Sequence, residues 1–152
     1  MTTAVAAPPR GAVAFDLEGA LIDVQGIQHL AGDASAFHLA SLTCPPNAEV
    51  VEAAQRAHAQ GLTVLVMTGG SKRLERHVVA WLNANDVPAT LVVMRGRGDF
   101  RPTAVVKGER LLAAARQFAN LTVWSADPSV TRVSERNGID VCPLPGYWGE
   151  VA

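Results

Sequence analysis

The chain has 152 residues, enough for one domain with a proper core, and 49% of them are hydrophobic, which excludes a disordered chain. Thirteen Lys and Arg against 14 Asp and Glu leave a net charge of −1, so any contact with nucleic acid must come from a local patch. No apolar run reaches the length of a membrane span.

Met1 to Arg10 lacks a charged region followed by an apolar core, so it is not read as a secretory signal. Residues 1–10 read as a disordered lead-in and residues 11–152 as one domain, located in the cytoplasm. The first β-branched apolar run is Ala12 to Phe15, ending at Asp16. From Leu21 to Pro46 the pattern is irregular and reads as a small insertion over the edge of a sheet. Asn47 opens a helical pattern with Val50, Val51, Ala54 and Ala57 on one face, closed by Gly61. Apolar runs follow at Leu62 to Met67 (ending at Thr68), Thr90 to Met94, Leu121 to Trp124 and, weakly, Ile139 to Val141. Helices are expected over Ser71–Ala84, Thr103–Phe118 and Ser129–Asn137. Continuous apolar runs without alternation indicate strands covered on both faces. Their alternation with helices predicts an α/β fold with a doubly wound parallel sheet. Trp81 and Trp124 read as core. Cys44 and Cys142 have no metal-ligand spacing and read as two buried thiols in preference to one disulfide. His29, His38, His58 and His77 also lack ligand spacing and read as surface or satisfied, partly buried residues.

In an open parallel sheet, ligands bind beyond the carboxyl ends of the strands. Asp16-Leu17-Glu18-Gly19, Thr68-Gly69-Gly70-Ser71 and Ser125-Ala126-Asp127 occupy those positions. Two carboxylates two residues apart can divide attack and proton transfer. An acid from another strand can complete a site for Mg²⁺, which takes few protein carboxylates beside substrate oxygens. The hydroxyl and amides of Thr68 to Gly70 can cradle phosphate oxygens. Other roles stay open: Asp127 before Pro128 and Ser129 is equally suited to cap a helix. Arg95, Arg97 and Arg101 form either a wet loop or a phosphate-facing patch with Lys107. Tyr147 and Trp148 form either a packing latch or an interaction surface. No Walker-type glycine loop is present, which argues against kinase activity.

The segment AVAFDLEGALID, Ala12 to Asp23, is similar to the signature of the haloacid dehalogenase superfamily, in which Asp-x-Asp-Gly-Thr follows the first strand. Met94 to Pro102 (MRGRGDFRP), followed by Val105-Val106-Lys107, resembles the phosphatase domain of phage polynucleotide kinase and its relatives. Pro45 to Val51 is similar to the segment opening the second helix there. The resemblance spans Ala12 to Pro143. It implies a sheet with a minimal cap insertion and a Mg²⁺-dependent phosphomonoesterase working through an aspartyl-phosphate. The substrate would be a phosphorylated small molecule or a nucleic-acid end such as a 3′-phosphate, in the host cytoplasm if the chain is phage-encoded. By position, Asp16 matches the nucleophile and metal ligand, and Glu18 the general acid/base whose backbone carbonyl also binds metal. Thr68 matches the phosphate-binding hydroxyl, Lys107 the lysine that balances phosphoryl charge, and Asp127 a metal ligand. Gly69, Gly70, Arg97 and Arg101 fall at the substrate.

Five departures accompany the resemblance. Glu18 carries one methylene more than the usual Asp, and misplacement of about 1 Å can cost about a hundredfold in rate. Ala20 replaces Thr, Gly70 stands where relatives commonly carry Arg, and Ser125-Ala126 replaces acids. Ile27 falls near the position of an Arg that binds substrate in phage relatives. The expectation is weak Mg²⁺ binding and impaired turnover. The alternative is a catalytically inactive descendant that binds a phosphorylated ligand or a protein partner, with a homodimer also open.

Overall fold

Short runs of β-branched residues favour strands, and runs apolar on both faces need cover on both sides. The computed structural model, which describes residues 11–145, has a strand at each run, with full cover on the central runs at Ala12–Asp16 and Thr63–Ser71 and partial cover on the edge runs. Strands β1 (Ala12–Asp16), β2 (Thr63–Ser71), β3 (Leu91–Arg95), β4 (Leu121–Ser125) and β5 (Asp140–Pro143) form one sheet, ordered β3-β2-β1-β4-β5. All four pairings are parallel, with Phe15 opposite Val66 on one side and Trp124 on the other. Helices α2 (Ala48–Ala59) and α3 (Glu75–Ala84) pack Val50, Ala54, Val78, Trp81 and Leu82 against Val13, Phe15, Val64 and Val66. Helices α4 (Thr103–Gln117) and α5 (Pro128–Arg136) pack Leu111, Ala114 and Val130 against Ala12, Ala14, Leu65 and Val123 on the opposite face. The sheet is therefore doubly wound. The chain leaves β1 towards β2 and leaves β4 towards β5, so the topological switch point lies between β1 and β4.

Several expectations shift in detail. The second strand runs through Thr68-Gly69-Gly70 to Ser71, with a break in register between Met67 and Ser71, so the glycines belong to an irregular strand end. The helix expected from Ser71 begins as a 3-10 turn over Lys72–Leu74, with Ser71 accepting from the Arg73 amide. Asn47 precedes α2, but its side chain makes no capping bond; its carbonyl accepts from Val50 and Val51 instead. The irregular segment holds a 3-10 stretch, Gln25–Leu30, and one short helix, α1 (Ala34–Ser41), capped by Asp33. It is pinched at its base, where Asp23 N donates to Pro45 O and Asn47 N to Leu21 O, at 2.9 and 2.8 Å. Trp81 is buried and donates to the Cys44 carbonyl at 3.2 Å, while Trp124 is half-buried and stacks on Phe15. Cys44 and Cys142 are both free thiols, half-buried rather than buried. Among the described residues no helix is long and apolar enough to cross a membrane. The residues 1–10, Tyr147 and Trp148 lie outside the described part.

Phe15 sits in the central strand with no exposed surface and its ring centroid 5.9 Å from that of Trp124. Truncating it leaves a cavity between sheet and helices, so Phe15→Ala is expected to cost about 3–5 kcal/mol in denaturant unfolding. Val79→Ala on the exposed side of α3 should stay within about 0.5 kcal/mol. Equal effects of the two changes would contradict this assignment of the core.

Candidate active site

β1 delivers Asp16 to the carboxyl edge of the sheet beside the switch point, and the chain then turns sharply. Gly19 has φ +87°, a conformation open to glycine without strain, and the turn closes with Ile22 N donating to Leu17 O at 2.8 Å. The turn holds Glu18 beside Asp16, and the neighbouring strands supply the rest of the cluster.

Asp16 has no exposed surface. Ser125, the last residue of β4, donates from Oγ to Asp16 Oδ2 at 2.5 Å and accepts from the Asp127 amide at 3.0 Å. Lys107, in the second turn of α4, reaches under the same edge. Its ammonium lies 2.9 Å from Asp16 Oδ1, as an ion pair rather than an aligned hydrogen bond, and 3.4 Å from Asp127 Oδ2. The other oxygen of Asp127 accepts from Ser129 N and Oγ at 2.9 and 2.8 Å. Asp127 thus caps α5 with one oxygen and faces Lys107 with the other. Burial raises the Asp16 carboxyl above its ordinary range; Lys107 and Ser125 oppose that rise, and the Asp127 charge adds to it. Burial by itself would lower Lys107, but Asp16, Asp127 and Glu18 together hold it above its ordinary value, so the lysine is a fixed cation.

Glu18 is also buried. Its Oε1 accepts from Thr68 Oγ1 at 2.7 Å and meets His38 Nδ1 at 2.9 Å, while Oε2 is buried with no hydrogen-bond partner. Burial would raise this carboxyl, yet the His38 charge and hydrogen bond, with Lys107 and Thr68, outweigh it and bring it from 4.5 to about 2. Glu18 is therefore ionised at neutral pH. Thr68 Oγ1 also accepts from the Gly70 amide at 2.9 Å. Gly69 admits no side chain: a Cβ there would lie 2.5 Å from Thr103 Cγ2. Arg95 holds this strand end from outside, donating from Nε to the Gly69 carbonyl at 2.8 Å and from Nη2 to Thr103 Oγ1 at 3.1 Å. Its Nη1 donates to the carbonyls of Asp99 and Arg101, which ties down the loop before α4.

Asp16, Glu18, Thr68, Gly69, Gly70, Lys107 and Asp127 are thus gathered at one edge of the sheet. Arg97 and Arg101 are exposed on the loop between β3 and α4, with the Arg101 guanidinium engaged by Asp99 and Glu109. Three further residues join the cluster, and of these His38 is legible only in the structure. His38 is buried with one nitrogen on Glu18 and the other without a partner, whereas His29, His58 and His77 are exposed. No spacing in the sequence links His38 to Glu18, because the insertion that carries it has no strong periodicity. Ser125, read from sequence as a strand-end residue standing where an acid is usual, binds Asp16. Arg95 acts as a brace for the cradle.

For Mg²⁺, the donors on offer are the Asp16 and Asp127 carboxylates, whose Oδ1 and Oδ2 face the Lys107 ammonium, and the Glu18 backbone carbonyl. Among the described residues no three His, Cys, Asp or Glu side chains converge as a metal cage. The set fits a hard cation that takes one or two carboxylates and completes its shell with water and substrate oxygens.

No protein-family model matches the chain, and no curated protein matches it. Solved structures do. A chain of the Pnkp1/Rnl/Hen1 complex matches at TM-score 0.75 with 19% identity over 90% of this chain, which spans 46% of that longer one. A hydrolase from Streptococcus pneumoniae TIGR4 matches at TM-score 0.61 with 15% identity, covering 91% of this chain and 94% of the other. The class C acid phosphatase from Bacillus anthracis, with tungstate bound, matches at 0.59 with 9% identity, covering 93% and 70%. These likenesses show a shared fold: a doubly wound, five-stranded parallel sheet with helices on both faces.

The Glu18 environment generates a pH prediction. A carboxyl lowered from 4.5 to about 2 on folding contributes stability that is complete above pH 4.5 and is lost as pH falls towards about 2. Urea unfolding between pH 6 and 2 should therefore show a steeper acid loss in the wild type than in Glu18→Gln. Parallel curves would mean that Glu18 is not held as a buried carboxylate.

Proposed function

We propose that the protein is a slow phosphomonoesterase that forms an aspartyl-phosphate on Asp16. The observation that carries this reading is the Asp16 carboxylate at the switch point with the Lys107 ammonium 2.9 Å away. One oxygen of the Asp16 carboxylate attacks phosphorus, the bond from phosphorus to the leaving oxygen breaks, and that oxygen takes a proton from the Glu18 carboxyl. Water then attacks the phosphorus, giving its proton to Glu18, and the Asp16–phosphorus bond breaks to release phosphate. Lys107 offsets the charge that builds on Asp16 and the phosphoryl group. Thr68 and the glycines after it receive the phosphoryl oxygens. When bound by Asp16, the Glu18 carbonyl and Asp127, Mg²⁺ supplies further charge neutralisation to those oxygens. Slowness follows from Glu18: a carboxyl held at about 2 is rarely protonated at neutral pH, which starves the first step of its acid.

The fold likeness to a chain of an RNA repair complex supports a nucleic-acid 3′-phosphate end as the substrate, with a phosphorylated small molecule as the other option. The second reading, an inactive descendant that binds a phosphorylated ligand or a protein partner, is favoured by one observation: Asp16 has no exposed surface.

Phosphate release from an aryl phosphate and from a 3′-phosphorylated oligonucleotide, each with Mg²⁺, decides between them. Asp16→Asn should remove at least 99% of any turnover, because a neutral amide cannot form the acyl-phosphate. Retained turnover would move the site elsewhere, and phosphate binding without turnover in the wild type would establish the second reading.

The metal reading has its own test. Calorimetry should find weak, millimolar-class Mg²⁺ binding, and Ala126→Asp should tighten it by adding a hard oxygen beside Asp127. Tight binding by the wild type would refute the claim that the acidic motif has lost a ligand.

A further inference from the structure

We propose that His38, carried into the site by the insertion helix α1, is a ligand for a phosphate oxygen through its Nε2. This rests on the phosphatase reading of the site and names a binding residue which that reading does not include.

Three observations converge on this nitrogen. First, His38 Nε2 is a polar atom with no hydrogen-bond partner on a residue that is only 6% exposed. A buried polar group left unpaired is costly, so the position calls for a partner that arrives with a ligand. Second, the ring lies over the cradle. A Cβ built on Gly69 would be 3.5 Å from His38 Nε2, and one on Gly70 would be 3.5 Å from His38 Cγ and 3.2 Å from Thr68 Oγ1. The imidazole therefore occupies the space above the two glycines, where a longer side chain at position 70 would otherwise reach. Third, the ring is fixed. Nδ1 is 2.9 Å from Glu18 Oε1, and an ionised carboxylate only accepts, so Nδ1 carries the proton. That bond holds the other nitrogen towards the cradle. With Nδ1 turned to Glu18, Nε2 is the ring nitrogen left to meet a phosphate oxygen.

Anion chemistry fits the surroundings better than a second cation. Lys107 is a fixed cation at the same edge, 2.9 Å from Asp16. A tetrahedral phosphate offers several acceptor oxygens to donors arranged in this way. The outcome would be a cradle that takes one polar side chain from the insertion and not from the strand end.

Two substitutions separate the nitrogens of the ring. In His38→Asn the amide can still donate to Glu18 from near the Nδ1 position but cannot reach the Nε2 position. In His38→Gln the longer amide can reach the Nε2 position. Titration of the wild type and variants with inorganic phosphate reads the result. His38→Asn should weaken phosphate binding at least about tenfold, the usual loss for a hydrogen bond to a charged group. His38→Gln should stay within about threefold of the wild type. Equal binding by the wild type and a folded His38→Asn protein would overturn the assignment while leaving the phosphatase reading standing. So would a larger loss in His38→Gln than in His38→Asn, since it would follow the Glu18 contact that only the asparagine keeps. If the wild type neither binds phosphate nor releases it from an aryl phosphate, both readings fall. A measurement without substitution guards against variants that fail to fold. In wild-type protein labelled with ¹⁵N at histidine, phosphate should shift the Nε2 signal of the single buried imidazole more than its Nδ1 signal. Saturating phosphate with an unmoved Nε2 signal would refute the proposal.

Discussion

Moving a carboxylate from water into a position with no exposed surface carries a penalty of several kcal/mol, and Asp16 stands in such a position at the end of the central strand. The arrangement is tolerable only because two other elements meet it there: β4 brings the Ser125 hydroxyl and α4 the Lys107 ammonium, a cation shared with the Asp127 carboxylate that caps α5. Each partner lies on a different segment, so the doubly wound order of the sheet is a condition of the site. The hydrophobic clusters on the two faces hold these segments at fixed distances, and the charged cluster sits where the two windings part.

The second carboxylate is held differently. Glu18 faces α1, and its ionised state depends on His38 more than on any other favourable contact. Compared with an aspartate, its additional methylene has an evident use: the longer side chain ends on His38 and Thr68. What reads in sequence as a misplaced acid is, in the fold, the link between the insertion and the end of β2. The link gives Glu18 a defined position and also favours its charged form, which suits accepting a proton better than giving one.

Gly69 shows how tightly the cradle is built. The carbonyl of Gly69 is held by Arg95, and Thr103 leaves no room for a Cβ above it. The backbone there is set by side chains from β3 and α4, so the cradle belongs to the sheet as a whole and not to a self-contained loop.

Local patterning determined much of this. Five apolar runs, the Pro102 start before α4, and carboxylates at strand ends were enough to read an α/β parallel sheet and to direct attention to Asp16, Thr68 and Asp127. Strand type and helix faces are short-range properties, written in the period of apolar residues. The Asn47 cap was read from composition, but a capping bond depends on the side-chain rotamer and neighbours, and the structure uses the backbone carbonyl alone. Tertiary structure decided what each charged group touches. The bond between Ser125 and Asp16 spans 109 residues, Thr68 to Glu18 spans 50, and His38 to Glu18 spans 20 through an insertion without a regular pattern. Contacts of that kind arise from how strands are ordered and how helices pack across them, and a one-dimensional period carries no record of either.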